Sequence, residues 1–142
     1  MNLLLDTCVL SEMIKQQRND RVVSWLSRQH PNTLYVSALT LGELQKGITK
    51  LPISARKTFL EKFLQSDILE GFKGRILDVD SNVALEWGNL VAISEQTGRR
   101  MPYVDSLLAA TALFHRLTLV TRNTRDMEAS GVALFNPWEA EA

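Results

Sequence analysis

Short apolar runs alternate with helical stretches along this chain, and the alternation narrows the folds open to it. Residues 2–6, Asn-Leu-Leu-Leu-Asp, hold an unbroken apolar run too short for a helix. A run of that length reads as a strand buried on both faces, as in a parallel sheet. Leu34-Tyr35-Val36, Arg75-Ile76-Leu77, Leu117-Thr118-Leu119-Val120-Thr121 and Ala133-Leu134-Phe135 repeat the pattern. Helical stretches lie between them. One runs from Cys8 to Ile14, and one starts at Asp20 as its cap and stops at His30-Pro31-Asn32. Three more cover Ala38 to Ile48, residues 54–70 closed by Gly71 and Gly74, and Asn82 to Gln96. A last one spans Tyr103 to Leu113 behind Pro102, where a missing N–H costs nothing. Strand alternating with helix predicts an α/β fold of three layers, a central parallel sheet of about five strands flanked by helices. A length of 142 residues suits one domain, 1–142, with a core of its own.

Composition excludes little. Lys+Arg and Asp+Glu each number 16, so no net field argues for or against nucleic acid. The single cysteine, Cys8, excludes an internal disulfide and a cysteine-based zinc site. Leu3-Leu4-Leu5 breaks at Asp6, far short of a signal peptide or a membrane span. The expectation is a cytoplasmic protein with no membrane partner.

The acids are more informative. Asp105 lies in the first turn of a helix whose other residues, Leu108, Ala109, Ala112, Leu113 and Phe114, are apolar and predict burial. An unpaired carboxylate there costs several kcal/mol. A helix N-terminus returns up to about 1 kcal/mol, and a metal ion far more. Asp6 ends the first strand, at the edge where open α/β sheets bind ligands. Asp126 lies just past the fourth strand, and Glu43 near the second turn of its helix. Each has a plain alternative: Asp105 and Asp6 as helix caps with Thr7 as a rival cap, Glu43 as a solvated surface residue. Asp78 and Asp80 also alternate in a way that invites a metal, but Asp80 reads better as the cap of the next helix and Asp78 as loop.

Parallel strands share one carboxyl edge, so the four acids are expected to converge there. Two like charges about 4 Å apart repel by about 4 kcal/mol at an effective dielectric of about 20. Four therefore call for a cation. An all-oxygen set suits Mg²⁺ or Mn²⁺. His30 and His115 stand singly and offer no competing site. A carboxylate cage holding one or two such ions is the apparatus of phosphodiester hydrolysis. Arg99 and Arg100, just ahead of the Asp105 helix, are placed to touch phosphate or to be a solvated pair.

Four segments carry a resemblance: Leu-Leu-Asp6-Thr7-x-Val-Leu-Ser-Glu, Thr40-Leu-Gly-Glu43-Leu-x-Lys-Gly-Ile, Asp105-Ser-Leu-Leu-Ala-Ala-Thr-Ala, and Leu-Val-Thr121-Arg-Asn123-x-x-Asp126. In this order and spacing the chain resembles a PIN-domain ribonuclease, more narrowly the VapC/FitB toxins of type II toxin–antitoxin pairs. Gly74-Arg75-Ile76-Leu77, Trp87-Gly88 and Asn136-Pro137-Trp138 fit the FitB-like branch. The resemblance implies a Mg²⁺- or Mn²⁺-dependent endoribonuclease with Asp6, Glu43, Asp105 and Asp126 as catalytic metal-holding acids, and Thr7, Thr121 and Asn123 in support. Arg99, Arg100 and Arg122 become candidate substrate contacts. It also implies an RNA substrate, tRNA or another structured RNA among the candidates. A homodimer is expected, with a cognate antitoxin whose C-terminal segment reaches the acids and through which alone operator DNA is bound. Two residues depart from the pattern. Cys8 stands where many relatives carry Asn, and Met127 where Phe is common. Two rival classes remain. A phospho-accepting receiver domain would need a second acid after the first strand and a lysine after the fifth, both missing. A PIN-fold RNA- or protein-binding module without catalysis would need a broken quartet.

Overall fold

The computed structural model describes residues 1–139. A five-stranded sheet forms its middle layer, built from β1 (Leu3–Leu5), β2 (Leu34–Ser37), β3 (Ile76–Leu77), β4 (Thr118–Val120) and β5 (Leu134–Phe135), in the order β3-β2-β1-β4-β5. Every pairing is parallel. The expected three-layer α/β arrangement is what the chain adopts. The sequence after Trp138 reads as a frayed tail, and its residues 140–142 lie outside the described residues.

The helices are α1 (Thr7–Glu12), α2 (Asp20–Ser27), α3 (Ala38–Thr49), α4 (Ala55–Lys62), α5 (Ser81–Gln96), α6 (Tyr103–His115) and α7 (Thr124–Met127). A π-helical stretch, Phe63–Glu70, continues α4. The sheet divides two apolar layers by the two-residue period of its strands. Leu3 and Leu5 face the α1, α3 and α4 side with Val9, Leu44 and Leu60. Leu4 and Leu119 face the other side with Val83, Leu108 and Ala109. Arg75 ties β2 to the α4 end, donating to the carbonyls of Leu34 at 2.7 Å and Gly71 at 2.5 Å.

Two expectations need correction. Asn19, not Asp20, caps α2: its side chain accepts from Arg21 N and Val22 N, and Asp20 is the first helical residue. The carboxamide one position earlier reaches the orphan N–H groups, and the Asp keeps only its favourable place near the helix dipole. Secondly, α6 is not apolar and buried throughout. Residues 106–112 are buried, but Phe114 turns to the surface at 41% exposure. The Asp80 cap does form, accepting from Val83 N at 3.0 Å.

The strand order places the functional edge. The chain leaves β1 for β2 and β3 on one side, then returns to β4 and β5 on the other. The reversal falls between β1 and β4, and a crevice opens at the carboxyl ends of strands that part in this way. Asp6 follows β1 and Thr121 follows β4.

Candidate active site

Asp6 is the fixed point. It is 7% exposed and caps α1, accepting from Thr7 N at 2.7 Å through Oδ1. Oδ2 accepts from Thr121 Oγ1 at 2.7 Å, from the far side of the switch point. The Thr121 hydroxyl in turn accepts from Asn123 N at 3.1 Å, so Asn123 contributes its backbone. Asp6 thus caps α1 and also stands at the carboxyl edge of the sheet. The cap spends one lone pair of Oδ1 and the threonine one of Oδ2. Oδ1 keeps another, while Oδ2 meets only the weak thiol donor of Cys8 besides.

Cys8 explains its own departure from the family pattern. Its thiol lies 3.7 Å from Asp6 Oδ2 and 3.9 Å from Thr121 Oγ1. Burial, reinforced by the Asp6 charge, pushes the thiol pKa up to about 11, so it stays protonated and offers a weak donor to Asp6.

Glu43 stands on the exposed face of α3, but it is held. Thr7 Oγ1 donates to Glu43 Oε1 at 2.6 Å and also lies 3.3 Å from the buried Thr40 hydroxyl. The residue after Asp6 therefore fixes a second acid 36 positions further on. No local pattern in the sequence reveals that link.

Asp105 sits half-buried in the first turn of α6 and caps nothing: Pro102 is the cap residue and offers no side-chain bond. Burial first, then the charges of Asp6, Asp126 and Glu43, raise its pKa from 3.8 to about 6. Asp105 therefore feels the charge of the other three acids at this edge. Asp126, on the exposed side of α7, has no hydrogen-bond or ion-pair partner among the described residues. The single ion pair among them joins Lys15 to Glu12, away from this edge. The approach stops short of a closed cage: among the described residues no three His, Cys, Asp or Glu side chains stand together in ligating positions.

The donor set fits a hard divalent ion. It is carboxylate and hydroxyl oxygen with one neutral thiol, it carries net negative charge, and no basic side chain neutralises it.

The arginines behave differently from one another. Arg99 and Arg100 are exposed ahead of α6. Arg100 lines a cavity of about 340 Å³ with Trp87, Met101 and Tyr103, on the α5 side of α6. Arg122 lies over the Trp138 ring at 5.2 Å. One buried acid had been given no role. Glu12, 3% exposed at the end of α1, accepts from Asn19 N at 2.8 Å and from Lys15 Nζ at 3.1 Å. Its burial acts to raise its pKa, but those donors outweigh it and hold the carboxyl below the usual range.

Fold and edge together define an acidic site at the switch point of a parallel sheet, and the comparisons place that fold in a known family. The model of the PIN domain matches residues 3–130, and the chain belongs to that family. Within it the chain is similar to Toxin FitB of Neisseria gonorrhoeae, at 40% identity over 96% of this chain and 98% of the relative. It is also similar to VapC ribonuclease Y4jK of Sinorhizobium fredii, at 34% identity over 96% of this chain and 98% of the relative. In a solved structure of FitAB bound to an IR36 DNA fragment, one chain matches with TM-score 0.94 and 37% identity, over 99% of this chain and 98% of that one. The VapC/FitB-like character expected from the motifs is borne out.

Proposed function

We propose that this chain is a Mg²⁺- or Mn²⁺-dependent endoribonuclease toxin that hydrolyses RNA phosphodiester bonds and is held inactive by a cognate antitoxin. One observation carries the reading. Asp105 is pressed by three other carboxylates, and no donor or cation among the described residues relieves it. Asp6 and Asp105 would hold the ion, with Glu43 and Asp126 closing around it. The bound ion supplies Lewis-acid stabilisation of phosphate charge and acidifies the attacking water.

The chain's own groups set the rest. Thr121 and the α1 N–H lock the Asp6 carboxylate in one orientation. Thr7 occupies Glu43 Oε1 and leaves Oε2 free to take a proton from the attacking water. Thr7 thereby couples the α1 cap to the α3 acid, so both move as one unit.

An antitoxin segment has room beside these acids. A cleft of about 250 Å³ opens next to Glu43, walled by Ile14, Leu44, Ile48, Leu60 and Phe63. An amphipathic segment lying there could place a basic side chain among the carboxylates. The toxin-named FitB relative and the solved structure of FitAB bound to an IR36 DNA fragment support a complex that engages DNA, and in this reading operator DNA is bound through the antitoxin alone. A homodimer is supported by the exposed apolar residues Leu85 and Ile93 on α5, at 71% and 57% exposure. No helix among the described residues is long and apolar enough to cross a membrane.

The decisive experiment incubates purified, antitoxin-free protein with RNA and Mn²⁺. Cleavage should vanish in excess chelator and return with added metal. Equal cleavage in chelator would overturn the metal-dependent mechanism.

A further inference from the structure

The face of α3 opposite its core stripe is unusual. Leu44 and Ile48 point into the core with Leu41. The other face runs Leu39, Gly42, Glu43, Lys46, Lys50 at helical spacing, and it floors a cleft of about 530 Å³ closed on the far side by Val104 of α6. The cleft begins at Thr7 and Glu43, so it leads directly away from the acidic edge.

Two features set this cleft apart: its lysines have no partners among the described residues, and two glycines lie within the helix. Lys46 lies one turn after Glu43, where the two would ordinarily pair. They do not, because Glu43 is turned to Thr7. Neither Lys46 nor Lys50 has a side-chain hydrogen bond or ion pair among the described residues. The negative end of α3 accounts for one basic residue near its terminus. It does not account for the glycines. Gly42 and Gly47 sit inside a twelve-residue helix, where glycine is unfavourable relative to alanine. A Cβ added at either would meet nothing within 4 Å. Their φ angles are not positive, so neither turn geometry nor internal packing demands glycine there. Both positions leave bare helix backbone open to close approach from outside the chain.

We propose that this cleft is the track for the RNA backbone on one side of the cut, with Lys46 and Lys50 holding successive phosphates and Gly42 and Gly47 letting the sugar-phosphate chain lie against bare helix. The proposal rests on the ribonuclease reading above. The occupant follows from charge and position. Two unpaired ammonium groups beside a carboxylate cluster fit a polyanion that enters the acids with only one phosphate. An amphipathic peptide finds its apolar wall across the Glu43–Gly47 ridge, against Leu60 and Phe63, rather than here. Flexible, point-charge lysines also suit a backbone read without sequence preference.

The test measures binding of a fluorescent single-stranded RNA of mixed sequence to the Asp105→Asn protein, which retains the cleft but not the acid, across a salt series. Each lost phosphate contact should flatten the log–log salt slope by about 0.7, so Lys46→Ala with Lys50→Ala should flatten it by about 1.4. In the otherwise wild-type protein the same pair should raise KM for cleavage about tenfold while kcat changes little. Lys62→Ala with Lys73→Ala, on another surface, should leave both unchanged. Gly42→Ala adds a methyl into open space and so should fold at least as stably while binding the RNA more weakly. An unchanged salt slope in the Lys46/Lys50 variant overturns the proposal. So does a variant that binds RNA normally but escapes its antitoxin, which would assign the cleft to protein. A wild-type chain that cuts no RNA defeats the ribonuclease reading instead, and the two failures are distinguishable.

Discussion

Glu12 and Asp105 are both carboxylates withdrawn from water, and their surroundings treat them oppositely. Glu12 is the more buried, yet the chain satisfies it: a backbone N–H and a lysine ammonium converge on its two oxygens. Its acidity rises accordingly. Asp105 keeps more contact with solvent, receives no donor, and faces three other acids. Its acidity falls. Burial acts in the same direction on both, so burial alone does not separate a structural acid from a working one. The partners do. A satisfied acid is finished within the chain. In the proposed function, an acid crowded by like charge is the one a bound cation would complete.

The sharpest way to break this comparison is to neutralise each acid in turn. Asp105→Asn should reduce RNA cleavage by at least about a hundredfold, since a lost ion ligand removes several kcal/mol of transition-state stabilisation and about 1.4 kcal/mol is a factor of ten. Its metal-free melting temperature should hold or rise, because the substitution relieves repulsion. Single-turnover cleavage and thermal melts check both. Near-normal cleavage by Asp105→Asn would remove it from the working class.

Glu12→Gln should do the reverse. Losing a charged acceptor under two donors should cost about 1–3 kcal/mol of stability in denaturant titrations. Cleavage per folded molecule should stay within about twofold of wild type. A stable Glu12→Gln protein without activity would erase the distinction.

Thr121→Val tests whether Asp6 belongs with one class or both. It is a satisfied acid by its hydrogen bonds and a working one by its place at the sheet edge. Loss of the Thr121 donor should lower cleavage about tenfold, the small end of what an outer partner of a metal ligand contributes. The check is a metal titration of activity, which should shift to higher Mn²⁺.

The smallest effect is on pH and stability, and its sign differs between the two acids. Asp105 binds its proton more tightly in the folded chain, from 3.8 up to about 6. In chelator, its ionisation should therefore weaken the fold as pH rises from about 4 to about 6, by about 1–2 kcal/mol at a half-buried site screened by solvent. Glu12 has a lowered pKa, so the stability it contributes is present above about 4.5 and is lost as pH falls through its folded value. Unfolding titrations across this range should show Asp105→Asn removing the first slope and Glu12→Gln the second. Mn²⁺ should stabilise more at pH 7 than at pH 5.

The order of residues along the chain already carries the alternation of strands and helices, the parallel sheet that follows from it, and the presence of Asp6 and Asp126 just beyond strand ends. These are consequences of local periodicity and of a shared strand direction, which each segment carries alone. The tertiary structure decided which acids are left unsatisfied. The Thr121–Asp6 bond spans 115 residues and the Thr7–Glu43 bond 36. Glu12, as acidic on paper as Glu43, became a structural residue only because the α1–α2 turn folds Asn19 onto it. A side chain's partners depend on strand order and helix packing, and those follow from the whole core's burial rather than from any one stretch of the chain.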